Sequence, residues 1–195
     1  MDCSRTVFSI IHVIPYLKIE TMSKTLSDDI QRIVGMLKPH DGLHRPVRIA
    51  VTGGVHAGKT TYLQAIAEQL TGAGFDVGGV IEMAVFEGAE RIGYEFVDVK
   101  SGERCRVAVK NLTGCGYAFD EEAWGWAADR FNRAADVMVV DELGRLEAAG
   151  DGLMPCLKDA LERRHLIAAV RQDVMERIER HLGAFDLIIR VDNLK

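Results

Sequence analysis

The 195-residue chain has no run of about 18 apolar residues, so nothing in it reads as a membrane-spanning helix. Its first apolar stretch, Val7–Ile14, is short and contains His12. Pro15, Tyr16 and Leu17 follow in place of a small-residue cleavage site, which makes it a poor secretory signal. Cysteines are few, and Cys3, Cys105, Cys115 and Cys156 include no C-x-x-C pair and no histidine at zinc-ligand spacing. They read as reduced thiols of a cytoplasmic protein, which excludes a disulfide scaffold. Basic excess is also missing. The 24 Lys and Arg against 29 Asp and Glu give a net charge of −5, so no strong nucleic-acid signal is present. The chain carries no internal repeat, heptad array or low-complexity tract.

What remains is ordinary for a folded enzyme-sized domain. Apolar residues at 48% and charged residues at 27% allow a core that needs no disulfide or structural metal. Residues 1–46 read as an N-terminal extension and linker, and residues 47–195 as one α/β domain. Within the extension, Val7–Leu17 suits a short strand or a loosely packed arm. Leu26, Ile30, Ile33, Val34 and Leu37 recur at helical spacing, with Ser27, Asp28 and Asp29 at the helix start and Lys38-Pro39 at its end. His40–Pro46 is the linker, and Met22 offers an alternative start.

From residue 47 onward, strands and helices alternate. Strands are expected at Val47–Thr52, Phe75–Met83, Arg91–Val99, Arg104–Val109, Val137–Val140, Leu166–Val170 and Phe185–Val191. Helices are expected at Lys59–Leu70, Glu121–Arg133, Asp151–Arg164 and Asp173–Leu182. Phe75–Met83 and Arg91–Val99 would form a hairpin around Glu87-Gly88. This order implies a mostly parallel sheet covered on both faces.

The strongest signal is Gly53-Gly54-Val55-His56-Ala57-Gly58-Lys59-Thr60, a full match to G-x-x-x-x-G-K-[ST] between a strand and a helix. Backbone N–H groups supply enough donors for a triphosphate only where the chain wraps tightly, and the helix that follows adds its positive end. The binding stretch is taken as Gly53, Gly54, Val55, His56, Ala57, Gly58, Lys59, Thr60 and Thr61. Lys59 offers a point charge to the β- and γ-phosphates, and Thr60 a hydroxyl to Mg²⁺. His56 reads as a solvent-facing filler.

The second signal is Val137-Met138-Val139-Val140-Asp141-Glu142, four apolar residues running into two acids. A buried strand ending this way delivers Asp141 to the carboxyl edge of the sheet, where α/β proteins bind ligands. Asp141 joins Thr60 as a metal-binding candidate, and Glu142 is positioned to orient or deprotonate a water. The plainer alternative is that both acids cap the next segment. Asp141-Glu142-Leu143-Gly144 also fits the D-x-x-G of GTPases, yet no N/T-K-x-D guanine reader follows.

A cation beyond Lys59 would stabilise the departing phosphate. Arg145 is the first candidate, Arg91 the second and Arg171 the third. Glu147 would either brace Arg145 or cap the next helix. Trp124 and Trp126 read first as packing groups and second as a platform for a base.

These motifs resemble the small P-loop nucleoside-triphosphatases, the family of the thermophile enzymes and of the cancer-related nucleoside-triphosphatase of animals. Arg91-Ile92-Gly93-Tyr94 and Asp141-Glu142-Leu143-Gly144-Arg145-Leu146-Glu147 carry the resemblance more specifically than the phosphate loop, and together it covers about residues 47–192. It implies a three-layer, RecA-like P-loop fold with a mostly parallel sheet and a β-hairpin insertion. The implied activity is Mg²⁺-dependent hydrolysis of ATP, GTP and other nucleoside triphosphates to diphosphate and phosphate; with Arg91 from the arginine search, the candidate catalytic set is Glu142, Lys59, Arg145 and Arg91. Residues 1–46 are additional to the family pattern and offer a surface for a protein partner. Glu82-Met83 stand where the family commonly has Thr-Glu, and its E-N-R segment near the base is reduced to Asp192-Asn193-Leu194-Lys195. Two other readings share the phosphate loop: a nucleotide or small-molecule kinase, and a non-enzymatic nucleotide-dependent switch.

Overall fold

A computed structural model describes residues 19–22, 26–38, 45–111, 116–162 and 164–191. Val7–Leu17, most of the His40–Pro46 linker, Cys3, Cys115, Arg163 and Asp192–Lys195 lie outside the described residues. In chain order the elements are β1 (Ile19–Met22), α1 (Leu26–Leu37), β2 (Arg48–Thr52), α2 (Lys59–Gly72), β3 (Val77–Glu87), β4 (Glu90–Asp98), β5 (Arg104–Lys110) and β6 (Tyr117–Phe119). They continue with α3 (Glu122–Phe131), β7 (Val137–Leu143), α4 (Arg145–Ala149), α5 (Met154–Ala160), β8 (His165–Val170), a 3-10 turn (Gln172–Val174), α6 (Met175–Leu182) and β9 (Leu187–Arg190).

Among the described residues, all nine strands form one sheet in the order β1-β9-β2-β8-β7-β3-β4-β5-β6. The first six in that order run parallel, and β4, β5 and β6 extend the sheet antiparallel from β3. This is the mostly parallel sheet with a hairpin insertion that the sequence implied. Alternation along the central strands fills two cores. Val137 and Val139 of β7 pack toward α1 and α2, where Ile33, Leu63, Ile66 and Leu70 are fully buried. Met138 and Val140 face α3, α5 and α6, where Ala123, Ala127 and Phe131 form one helical stripe. Helices therefore cover both faces, making three layers. Among the described residues, no helix is long and apolar enough to cross a membrane.

Several elements differ from the sequence expectation for local reasons. The expected helix Asp151–Arg164 is confined to α5, and the unanticipated short helix α4 precedes it, set apart by Gly150 and Gly152, both with positive φ. Strand β3 runs to Glu87 rather than Met83, because its second half gains a new partner in β4 after leaving β7. The helix expected from Asp173 opens with the 3-10 turn, and α6 proper begins at Met175. Strands β1 and β6 were not anticipated at all. Each is short and gains its place from pairing, β1 with β9 and β6 with β5.

The N-terminal segment joins this body in two places. Strand β1 pairs parallel with β9. Helix α1 turns Asp29, Ile33 and Leu37 inward, and Tyr62 of α2 donates a hydrogen bond to the Asp29 carboxylate. Asp29 stands in the first turn of α1, as the sequence implies, and its buried side chain also holds α1 to α2.

Candidate active site

The parallel strands deliver their carboxyl ends to one edge of the sheet, and the phosphate loop leaves β2 there. Gly53 is required by close approach, since a Cβ would sit 2.2 Å from the Val191 carbonyl oxygen. Gly58 caps α2 with φ +91°, a left-handed conformation that glycine adopts without steric cost. His56, exposed at the loop tip, also has a positive φ of 62°. The Lys59 ammonium lies back over the loop and donates to the Gly54 carbonyl at 3.1 Å.

Gly53 to Thr60 line one side of a cavity of about 680 Å³. Thr61, the last residue of the expected binding stretch, is exposed on α2 and is not among the lining residues. Asp141, Glu142 and Arg171 form the far side, while Glu82, Arg91, Tyr94 and Phe86 come from the β3–β4 hairpin. The loop, the acid pair and Arg91 are therefore brought together as the sequence suggested. Arg145 is not among these lining residues. It lies 73% exposed in the wall of a neighbouring cavity, with Nη2 3.4 Å from the Asp173 carboxylate. Arg171 pairs with the same acid at 3.1 Å. Arg91 is half-buried, and its Nε donates to the Tyr117 hydroxyl at 3.2 Å.

The two acids of β7 are held very differently. Asp141 is 2% exposed, and neither carboxylate oxygen has a hydrogen-bond partner of good geometry. Burial pushes its pKa up to about 6, with Glu142 adding to the rise, while the nearby Thr60 hydroxyl and Lys59 pull it down. An orphaned buried carboxylate beside a threonine hydroxyl is a pair of hard oxygen donors, which suits Mg²⁺. Among the described residues no group of three His, Cys, Asp or Glu could cage a metal ion.

Glu142 lies within a register shift, between Val140 and Leu143, in the pairing of β7 with β8. Its φ is +56°, a costly conformation for a residue with a long side chain. The shift re-aims the strand, and Glu142 ends half-buried in the cavity wall. Glu147 has neither to reach Arg145 nor to enter this cavity. Its carboxylate accepts the Gly144 and Leu153 backbone N–H groups at 3.0 and 3.2 Å, capping the start of α4 and tying it to α5.

Sequence reasoning missed three participants. Glu82 appeared only as a departure from a family pattern. It is mostly buried in the cavity, and burial together with Asp141, Glu142 and Glu147 pushes its pKa up to about 7. Its signal was the alternation Val80, Glu82, which puts it on the same face of β3 as a core valine. Tyr117 and Asp173 were missed because their partners, Arg91 and the Arg145–Arg171 pair, lie far away in sequence or across a turn.

Comparison with known proteins follows the same geometry. A chain of Pyrococcus abyssi named nucleoside-triphosphatase THEP1 is 30% identical over 151 residues, spanning 71% of this chain and 82% of that one. Its namesake in Thermococcus kodakarensis is 30% identical over 149 residues, 70% of this chain and 82% of its own. The solution structure of a human cancer-related nucleoside triphosphatase matches in fold with a TM-score of 0.59 at 21% identity, covering 76% of this chain and 89% of that one. The crystal structure of THEP1 from Aquifex aeolicus gives 0.55 at 19% identity, with 75% and 90% covered. A sequence model described as NTPase matches residues 48–193. Because that match begins at the first residue of β2, ends beyond β9 and takes in every strand that reaches the cavity, the chain belongs to this NTPase family.

Proposed function

We propose that this protein is a nucleoside-triphosphatase that cleaves the γ-phosphate from ATP, GTP and related nucleotides with Mg²⁺. The names of its relatives support the activity. The observation that carries the reading is Glu142, a carboxylate held in a left-handed backbone at the wall of the phosphate-loop cavity. In a kinase the attacking hydroxyl arrives on a substrate, but hydrolysis needs a group that holds and orients water.

In this reading the backbone N–H groups of Gly53 to Lys59 cradle the β- and γ-phosphates. Lys59 exchanges its loop carbonyls for phosphate oxygens, a substitution of stronger, charge-assisted bonds for neutral ones. Thr60 and Asp141 would hold Mg²⁺, which would neutralise phosphate charge. Glu142 orients a water toward the γ-phosphorus and accepts its proton. Arg91 and Arg171, both in the cavity wall, are the cations available to the departing phosphate oxygens, with Arg145 one step further out. Residues 47–195 carry all of these groups, and the segment before them braces α2 and β9.

Phosphate release from ATP, GTP, CTP and UTP should require Mg²⁺ and fall by about 10²-fold or more in Glu142→Gln. Lys59→Ala should lose nucleotide affinity as well as turnover, whereas Glu142→Gln should still bind. Full turnover in Glu142→Gln would remove the carboxylate from the mechanism.

A further inference from the structure

Beside the phosphate cavity lies a second one of about 300 Å³. Glu82, Tyr94, Asp141, Glu142 and Arg171 line both, so the two meet along the acids. A hydrolytic water occupies roughly 30 Å³ and needs no such space. The outer walls are aromatic. Tyr94 meets Tyr117 edge-on at 5.1 Å between ring centroids, and Trp124 stacks against Phe119 at 6.4 Å. Phe119 is 56% exposed and Leu146 43%, both at this cavity, so large apolar groups are left facing open space. Carboxylates on the floor, ring faces along the walls and Arg145 in the lining form a graded lining of the kind that holds a small planar molecule.

We propose that this second cavity binds a neutral aromatic alcohol of nucleoside size, and that its hydroxyl receives the γ-phosphoryl group in place of water. The proposal rests on the nucleotide-hydrolysis reading, because the nucleoside triphosphate is the phosphoryl donor. The ring system stacks between the aromatic walls and its hydroxyl points to the acids. Glu82, Asp141, Glu142 and Glu147 gather at that end, and the two arginines of the lining, Arg145 and Arg171, are both paired with Asp173, which disfavours an anionic acceptor relative to an alcohol. The acceptor oxygen forms a bond to the γ-phosphorus, and the bond from that phosphorus to the bridging oxygen breaks. The diphosphate leaves with the bonding electron pair, and the hydroxyl proton passes to Glu142. Hydrolysis is then the outcome when water fills the cavity.

The test supplies the full chain with Mg²⁺ and γ-labelled ATP, and offers adenosine, guanosine, cytidine or uridine as acceptor. At least one nucleoside should carry label as its monophosphate. Phe119→Ala, which removes an exposed wall, should cut that transfer about tenfold while phosphate release without acceptor stays unchanged, and Phe119→Trp should restore it. Label confined to inorganic phosphate with all four nucleosides overturns the acceptor site and leaves the hydrolase standing. A nucleoside that quenches Trp124 fluorescence but takes no label also overturns it, as does a parallel loss of hydrolysis in Phe119→Ala. If no label leaves ATP under any condition, the hydrolysis reading fails first, and this proposal with it.

Discussion

Glu142 occupies a backbone conformation that its side chain makes expensive, and a glycine there would not pay that penalty. Left-handed φ costs about 1–2 kcal/mol for a residue with a Cβ, partly offset in glycine by greater freedom of the unfolded chain. Glu142→Gly should therefore be more stable by about 1 kcal/mol, read as a higher urea midpoint, while losing turnover. Glu82 gives a second residue-level test, with a definite sign. Its pKa in the folded protein is about 7 against an ordinary 4.5, so between those values the folded state holds more protons than the unfolded one. Stability then falls as pH rises from about 4.5 to 7, and the deficit persists above. Glu82→Gln should stabilise the protein at pH 8 by on the order of 1–2 kcal/mol and leave it unchanged at pH 4, as read by urea unfolding at both values. The loop glycines, Lys59, Thr60 and the Asp141-Glu142 pair were legible in the sequence because their chemistry dictates residue type and spacing. Glu82, Tyr117 and Asp173 were not, because each matters through a neighbour that only strand pairing or a turn supplies.

At the scale of elements, legibility followed local signals. The edges of α1 and α2 and the hairpin turn at Glu87-Gly88 were readable from caps, apolar spacing and glycine. Helix α4 was not, because its five residues are too few to show a helical period before Gly150 ends it. Strands β1 and β6, at four and three residues, carry too little pattern to be seen without their partners. The pairing of α1 with α2 makes its own prediction. Tyr62→Phe deletes a hydrogen bond to Asp29, a carboxylate that is only 5% exposed. The variant should lose about 1–3 kcal/mol, which for a chain of this size is a fall of several degrees in Tm. Calorimetry measures it, and an unchanged Tm would mean that Asp29 is satisfied without Tyr62.

For the molecule as a whole, the extension seen as an appendage in the sequence contributes to both the sheet and one of the two cores. Removing residues 1–38 would uncover the β9 edge and the apolar surface under Ile33 and Leu37, both essentially buried. Truncated protein should aggregate on heating at a lower temperature than the full chain, as light scattering would record. The site also has a mechanical tie to that distant edge. Val191 donates its N–H to the Thr52 carbonyl at 2.8 Å, and its own carbonyl is the atom that leaves no room for a side chain at Gly53. The first residue of the phosphate loop and the end of β9 thus share one local opening event. A nucleotide that clamps the loop must, by linkage, slow the exchange of the β9 amides with heavy water, and β1 inherits part of that protection through its pairing with β9. Mass spectrometry of deuterium uptake would then see substrate binding at a strand the substrate never touches.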